Sequence, residues 1–297
     1  MTASKQLKVA VVGIAGGWSS ERLLDALEQR TGFRCLVDMA QVRCDLATGR
    51  AYFGEVELTA LDGLVIKKVG VEYSPELLDR LELLRYVASQ GPRIFSPPAS
   101  IIAMLDRLSC TVTLTAGGIP MPPTLVTESV EETAAAVERM GRSVLKPLYS
   151  TKARGMLVVE PGPGLREKIA GYRDAGHPMI YLQQMLALPG QDLGVVFLGG
   201  EYFATYARVA NGESWNTTHR AGGRYQQYEP SQEIKDLAHK AQALFNLDFT
   251  CVDVAETEQG PVAFEVSAFG GFRGLKEGCG MDAAQYYADY VCRELAS

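Results

Sequence analysis

Two carboxylates near the C-terminus stand where carboxylates are expensive. Asp253 lies within Thr250-Cys251-Val252-Asp253-Val254 and Glu265 within Val262-Ala263-Phe264-Glu265-Val266-Ser267, two apolar strand candidates separated by a turn-like stretch from Glu256 to Pro261. An isolated carboxylate inside an apolar run is costly to bury, so a pair on adjoining strands suggests a metal held between hard oxygen ligands. Two carboxylates facing water from ordinary sheet edges is the competing reading.

A second group could serve phosphate. Lys146 ends the apolar run Ser143-Val144-Leu145 just before Pro147, and Lys152 and Arg154 follow in the loop from Leu148 to Gly155. A lysine pairs with phosphate as a point charge and an arginine can grip two oxygens in a fork, so the three together suit a triphosphate. Against this, Lys146 could snorkel to water from a strand end, and the loop cations could decorate a solvated turn.

The elements that must position these residues follow from pattern. Leu7 to Ile14 reads as a buried strand, then a turn at Gly16-Gly17, then a helix that Ser19 or Ser20 can cap and that puts Leu23, Leu24 and Leu27 on one face. Gly16 and Gly17 lack the dinucleotide fingerprint and read as turn residues. Strands around Arg34 to Asp38 and Leu61 to Ile66, and a helix opened by Ser74-Pro75-Glu76 with Leu77, Leu78, Leu81, Leu84 and Val87 inward, complete an open α/β unit that ends near Ser96-Pro97-Pro98. A helix is expected over Ile101 to Ala116 and another after Thr127-Glu128-Ser129. The two runs flanking the cationic loop, Ser143 to Pro147 and Gly155 to Val159, resemble a hairpin able to close over a ligand. Extended segments at Ile180 to Gln183, Leu193 to Leu198 and Tyr202 to Val209, a helix from Gln232 to Leu247, the two acidic strands and a final helix from Met281 to Leu295 give an α+β pattern with a mixed or antiparallel sheet.

Composition excludes several classes. The chain has 297 residues, 47% apolar and 22% charged, an ordinary globular balance, and a formal net charge of -6 that argues against a general nucleic-acid or anionic-membrane surface. Met1-Thr2-Ala3-Ser4-Lys5 leads into a short apolar strand with no signal-peptide segment, and no run approaches bilayer length, so a soluble cytoplasmic protein is expected. Six scattered cysteines have no structural-zinc spacing and read as buried thiols in a reducing compartment.

From Leu105-Asp106-Arg107-Leu108 onward the order of motifs resembles the ATP-grasp superfamily, especially its ribosomal-protein-modifying glutamate ligases and lysine-biosynthesis carboxylate-amine ligases. The motifs are Gly118 to Pro122, Val144 to Pro147, Tyr181 to Leu186, Asp192, Arg208, Trp215-Asn216, Arg220, Gly222-Gly223, Val252 to Val254, Phe264 to Ser267 and Phe272-Arg273-Gly274. The resemblance implies an ATP-grasp fold behind an N-terminal α/β domain. Its three domains span 1–98, 99–186 with the phosphate-covering loop, and 187–297, with ATP between the last two. It implies nucleotide contacts from Arg107, Lys146, Lys152, Arg154 and the hinge Gln183-Gln184-Met185-Leu186. Mg2+, with Mn2+ as a substitute, would bind Asp253, Glu265 and Ser267, while Arg208, Arg220 and Arg273 would serve the transferred phosphoryl group and the acceptor. Asn216 and His219 could face the acceptor.

The chain departs from the family pattern at Arg107 for a lysine, Gln184 for an acidic residue, Gly194 for an arginine and Ser267 for an asparagine. The activity implied is ATP-dependent joining of a carboxylate to an amine or amino acid through an acyl phosphate. A small-molecule kinase that stops after phosphoryl transfer, and an ATP-binding regulatory or scaffold protein, are the alternatives. Substrate identities and homo-oligomerisation stay open, and Lys67-Lys68 could approach an acidic substrate or sit at a solvated strand end.

Overall fold

The computed structural model describes residues 6–72, 74, 76–150, 153–211 and 222–297. Strand β1 (Val9–Val12) leads to helix α1 (Trp18–Thr31) and β2 (Leu36–Val37), followed by three short strands β3 (Val42–Asp45), β4 (Arg50–Phe53) and β5 (Val56–Glu57) that pair antiparallel. Next come β6 (Gly63–Ile66), α2 (Glu76–Ser89) and β7 (Arg93–Phe95). Strands β2, β1, β6 and β7 lie in that order and are all parallel. Every residue of β1 and β6 is buried, because a parallel strand covered on both faces has no polar side to show. Val9 and Val11 pack toward Leu23, Leu24 and Leu27 of α1, while Ala10 and Val12 pack toward Leu77, Leu81 and Leu84 of α2. Leu78 is only partly buried. The expected serine cap of α1 is not found. Gly17 occupies the cap position, and Ser20 Oγ instead accepts from the Ile14 N–H at 3.3 Å, fastening the turn between β1 and α1.

The expected helix from Ile101 to Ala116 is two helices, α3 (Pro98–Ile102) and α4 (Arg107–Ala116). Asp106 divides them: its carboxylate accepts from the Ser109 N–H at 2.8 Å and from Ser109 Oγ at 2.7 Å, a side-chain cap that starts a new helix with Arg107 as its first residue. There follow β8 (Thr124–Thr127), α5 (Val130–Met140) capped by Ser129, β9 (Ser143–Leu145), β10 (Leu157–Val159), α6 (Leu165–Asp174) and β11 (Ile180–Gln184). They form an antiparallel sheet in the order β10-β9-β11-β8, with the expected hairpin between β9 and β10.

The third sheet contains β12 (Gln191–Leu198), β13 (Glu201–Val209) and β14 (Arg224–Gln227). After α7 (Gln232–Ala243) it is completed by β15 (Phe249–Thr257) and β16 (Gly260–Ser267), before α8 (Phe272–Cys279) and α9 (Ala283–Ala296). Its order is β14-β13-β12-β15-β16, antiparallel throughout. Alternation sorts its residues cleanly. Leu193, Val195, Val252, Val254 and Val266 join Ile234, Leu237 and Ala241 of α7 in one core. Asp192, Gly194, Arg208, Asp253 and Glu265 belong to the opposite face. Helix α7 stops at Ala243, short of the expected Leu247, and Asn246 at φ 48° turns the chain into β15. The sequence pattern had not separated out β3 to β5, β8, α6, β14 or α8.

Candidate active site

Asp253 and Glu265 are direct cross-strand partners on β15 and β16, so the sheet itself brings the two carboxylates together. Asp192 and Arg208 are likewise partners across β12 and β13. Arg208 Nε donates to Asp192 Oδ2 at 2.8 Å, its Nη2 also reaches that oxygen, and Nη2 lies 3.0 Å from Asp253 Oδ1. One guanidinium thus joins two carboxylates in a shielded place, where the fork geometry of arginine suits such sharing. Burial pushes the Asp253 carboxyl up to about 6 even though Arg208 pulls the other way. The neighbouring carboxylates hold the Arg208 guanidinium well above its usual range.

The other half of the site comes from the central sheet and α4. Arg107 Nη1 lies 3.2 Å from Glu265 Oε2, and its backbone N–H donates to Leu148 O at 3.1 Å, so the first residue of α4 touches both β16 and the loop that follows β9. Lys146 leaves the end of β9 and sits 5.4 Å from the centre of the Phe264 ring on β16. Its ammonium donates to Gln183 Oε1. It does not snorkel to water. Burial, with Arg107 adding to the effect, lowers the Lys146 ammonium to about 7. Gln183, only 1% exposed, has its amide orientation fixed because Nε2 donates to Thr124 Oγ1 at 3.0 Å and to Tyr181 OH at 3.3 Å, and Tyr181 OH shares a 2.9 Å hydrogen bond with Thr111.

The hinge residues are otherwise committed. Gln184 Nε2 donates to Met140 O at 2.8 Å, the Gln184 N–H to Pro123 O at 2.9 Å and the Met185 N–H to Arg142 O at 3.0 Å, so these three donors are used within the protein. Leu186 follows the end of β11. Arg154 is exposed in the turn before β10. Arg273, on the first turn of α8, lies 3.6 Å from Glu277 and 5.8 Å from the centre of the Trp18 ring, away from the Arg208 cluster's own ion pairs. Lys152, Asn216, His219 and Arg220 lie outside the described residues.

Ser267 shares the strand face of Glu265, as alternation predicts, yet its oxygen already accepts from the N–H groups of Phe269 at 3.2 Å and Gly270 at 3.1 Å. That makes it the staple of the turn after β16. The departure at Gly194 has a steric account: a Cβ there would stand 2.3 Å from Tyr206 Cζ, and one on Gly274 would stand 2.4 Å from the same ring. The Tyr206 ring fills the space that a side chain at 194 would need, and its hydroxyl lies 3.4 Å from Cys251 Sγ. Lys67 is no solvated strand end. It is 1% exposed, and burial lowers its ammonium to about 7. Gly16 and Gly17 are turn residues, their N–H groups taken by Glu21 Oε1 and Ile14 O.

The donor set fits a magnesium-sized cation. Two carboxylates meet in register, one of them carrying the cost of burial that a cation would relieve. No set of three or more His, Cys, Asp and Glu gathers among the described residues. A hard cation that completes its shell with phosphate and water needs only one or two such ligands. No described helix is long and apolar enough to cross a membrane.

Residues 104–291 match the family model described as RimK-like ATP-grasp domain. A tetrahydromethanopterin:alpha-L-glutamate ligase of Methanosarcina acetivorans is 24% identical, covering 92% of this chain and 95% of that one. Among solved structures, the ATP-grasp ligase PsnB, complexed with a phosphomimetic variant of its minimal precursor, Mg and ADP, aligns with a TM-score of 0.76 at 16% identity, over 98% of this chain and 99% of that one. The RimK domain ATP-grasp protein of Sphaerobacter thermophilus aligns with a TM-score of 0.73 at 23% identity, over 95% and 98% of the two chains. The fold is the α+β ATP-grasp fold.

Proposed function

The chain belongs to the RimK-like ATP-grasp domain family and is a ligase, and on that premise we propose that it joins a small-molecule or peptide carboxylate to the amino group of an amino acid at the expense of ATP. The observation that carries this reading is the convergence across two sheets: Arg107 and Lys146 from the central part meet Glu265 and Phe264 of β16, with Asp253 in register beside Glu265. L-glutamate is the first amine to try, since the Methanosarcina relative is named for it. We further propose the division into 1–98, 99–186 and 187–297, a nucleotide site between the last two parts, and a cytoplasmic location.

In this reading Lys146 and Arg107 face the phosphates of ATP, with Arg154 closing from the β9–β10 loop. Adenine is met by the backbone carbonyls of the hinge and by Leu186, because the N–H groups of Gln184 and Met185 are taken. Asp253 and Glu265 hold Mg2+, which when bound supplies positive charge against the phosphate oxygens. The substrate carboxylate attacks the γ-phosphoryl group and ADP leaves. Arg208, held rigid by Asp192, presents its charge to the transferred group without reorganising. The amine then attacks the acyl carbonyl of the resulting acyl phosphate, phosphate leaves, and an amide forms. Exclusion of water between the sheets protects that intermediate from hydrolysis.

The test supplies ATP, Mg2+, L-glutamate and a panel of carboxylates labelled with heavy oxygen. Amide product, ADP and label transferred into inorganic phosphate are expected together. A stable phosphorylated carboxylate with no amide would instead make the protein a kinase, and nucleotide binding without turnover on any pair would favour a regulatory role.

A further inference from the structure

Lys67 follows β6 in the N-terminal sheet, yet its ammonium ends inside the C-terminal part of the molecule. Nζ donates to Phe269 O at 2.9 Å, stands 3.8 Å from the centre of the Phe272 ring and 5.6 Å from that of Phe249. Among the described residues no carboxylate pairs with it. One carbonyl dipole and two ring faces offset its charge, a costly way to bury an ammonium and one that an apolar side chain would avoid.

The carbonyl it grips belongs to the turn after β16. Ser267 Oγ holds that turn from one side, through the N–H groups of Phe269 and Gly270, and Lys67 holds it from the other. Gly271, at φ 91°, then starts α8 and with it Arg273. The turn therefore connects the strand carrying Glu265 to the helix carrying Arg273, and its only charged tether among the described residues comes from 202 positions away in the chain. Arg273 in turn faces Trp18 of α1, a second contact between this segment and the N-terminal part.

We propose that Lys67 is a positioning residue for the ligase reaction: rooted in the rigid N-terminal sheet, it fixes the Phe269–Gly271 turn and thereby the placement of Arg273 on the amine-acceptor side of the site. Which substrate feels the change rests on the ligase reading above, while the anchoring itself does not.

The experiment compares the full-length wild type with K67M, which keeps an unbranched apolar stem but removes donor and charge, and with K67Q, which keeps a neutral polar group one atom short of the position of the lysine nitrogen that donates to the Phe269 oxygen. Amide hydrogen exchange over 267–274 should rise about tenfold in both, as expected for a released turn, with the β9–β10 hairpin unchanged. With L-glutamate as the amine probe, its KM should rise about tenfold and the KM for ATP should stay within about twofold. K67R, keeping charge and donors, should recover part of the glutamate KM. Unchanged exchange at 267–274, a uniform rise over the whole chain, or equal increases in both KM values would overturn the proposal. If K67M fails to fold, K67Q decides. A wild type with no glutamate-dependent ADP formation would count against the substrate reading alone and leave the exchange pattern to judge the anchor.

Discussion

The two halves of the site handle buried charge in opposite ways. On the C-terminal sheet, Arg208 sits between Asp192 and Asp253, a cation whose charge is spoken for inside the protein. On the central sheet, Lys146 is nearly as hidden but has an amide oxygen and an aromatic ring for company, and burial lowers its ammonium to about 7. A cation that is already neutralised can orient and stabilise; one left short of counter-charge is prepared to receive an anion. On the proposed ligase reading, the polyphosphate lies against Lys146, the cation short of counter-charge, with Arg107 beside it already paired to Glu265 and the Arg208 cluster beyond.

Substitution at the two cations breaks or confirms this contrast most directly. R208M removes the cation that Asp192 and Asp253 share and should destabilise the fold by about 3 to 5 kcal/mol in denaturant titration. K146M removes a poorly compensated ammonium and should leave the unfolding midpoint unchanged or higher while weakening nucleotide binding. Equal losses of stability in the two variants would erase the distinction. Next in size is E265Q, which removes the carboxylate that faces Asp253 and pairs with Arg107, and should lower ADP formation by about 100-fold, a loss typical of a group that organises transition-state charge. G194A probes packing within the ion-paired half: its Cβ would collide with the Tyr206 ring, so about 1 to 3 kcal/mol of overpacking strain should appear as a lower denaturant midpoint.

The smallest effect is a proton. Lys146 titrates near 7 in the folded protein against 10.5 for a free lysine, so between those values the unfolded chain holds a proton that the folded chain has lost. Its contribution therefore makes stability rise with pH across that window, and the penalty is fully present below it. Phosphate beside the ammonium favours the charged form, so nucleotide binding at pH 8 should draw in part of a proton. Calorimetry in buffers of different ionisation enthalpy measures that uptake, and its persistence in K146M would assign it elsewhere.

The strand pair carrying Asp253 and Glu265 was legible because alternation with a period of two and a short turn fix which residues share a face. The same local rules found the β9–β10 hairpin, the apolar β1 and β6, and the serine before α5. They misjudged the stretch from Ile101 to Ala116, where apolar spacing continues across a break that the Asp106 carboxylate imposes by capping a second helix. Ser267 was placed on the correct face, but sharing a face does not say whether an oxygen is free, and the following turn claims it. Gln183 was read only as a hinge residue; its hydrogen bonds to Lys146 and Thr124 had no local signal, since those partners are brought to it by neighbouring strands.

Sequence alone determined the alternating strands, the Ser129 cap of α5, the ordinary globular charge and the ordered motifs of the ligase family, all of which depend on residues a few positions apart or on their order. Only the tertiary structure decided which charges are paired. Arg107 meets Glu265 from 158 positions away and Lys67 meets Phe269 from 202, and whether a cation is neutralised, starved of counter-charge or used as a tether depends on desolvation and on partners that only the packing of separate sheets brings into reach.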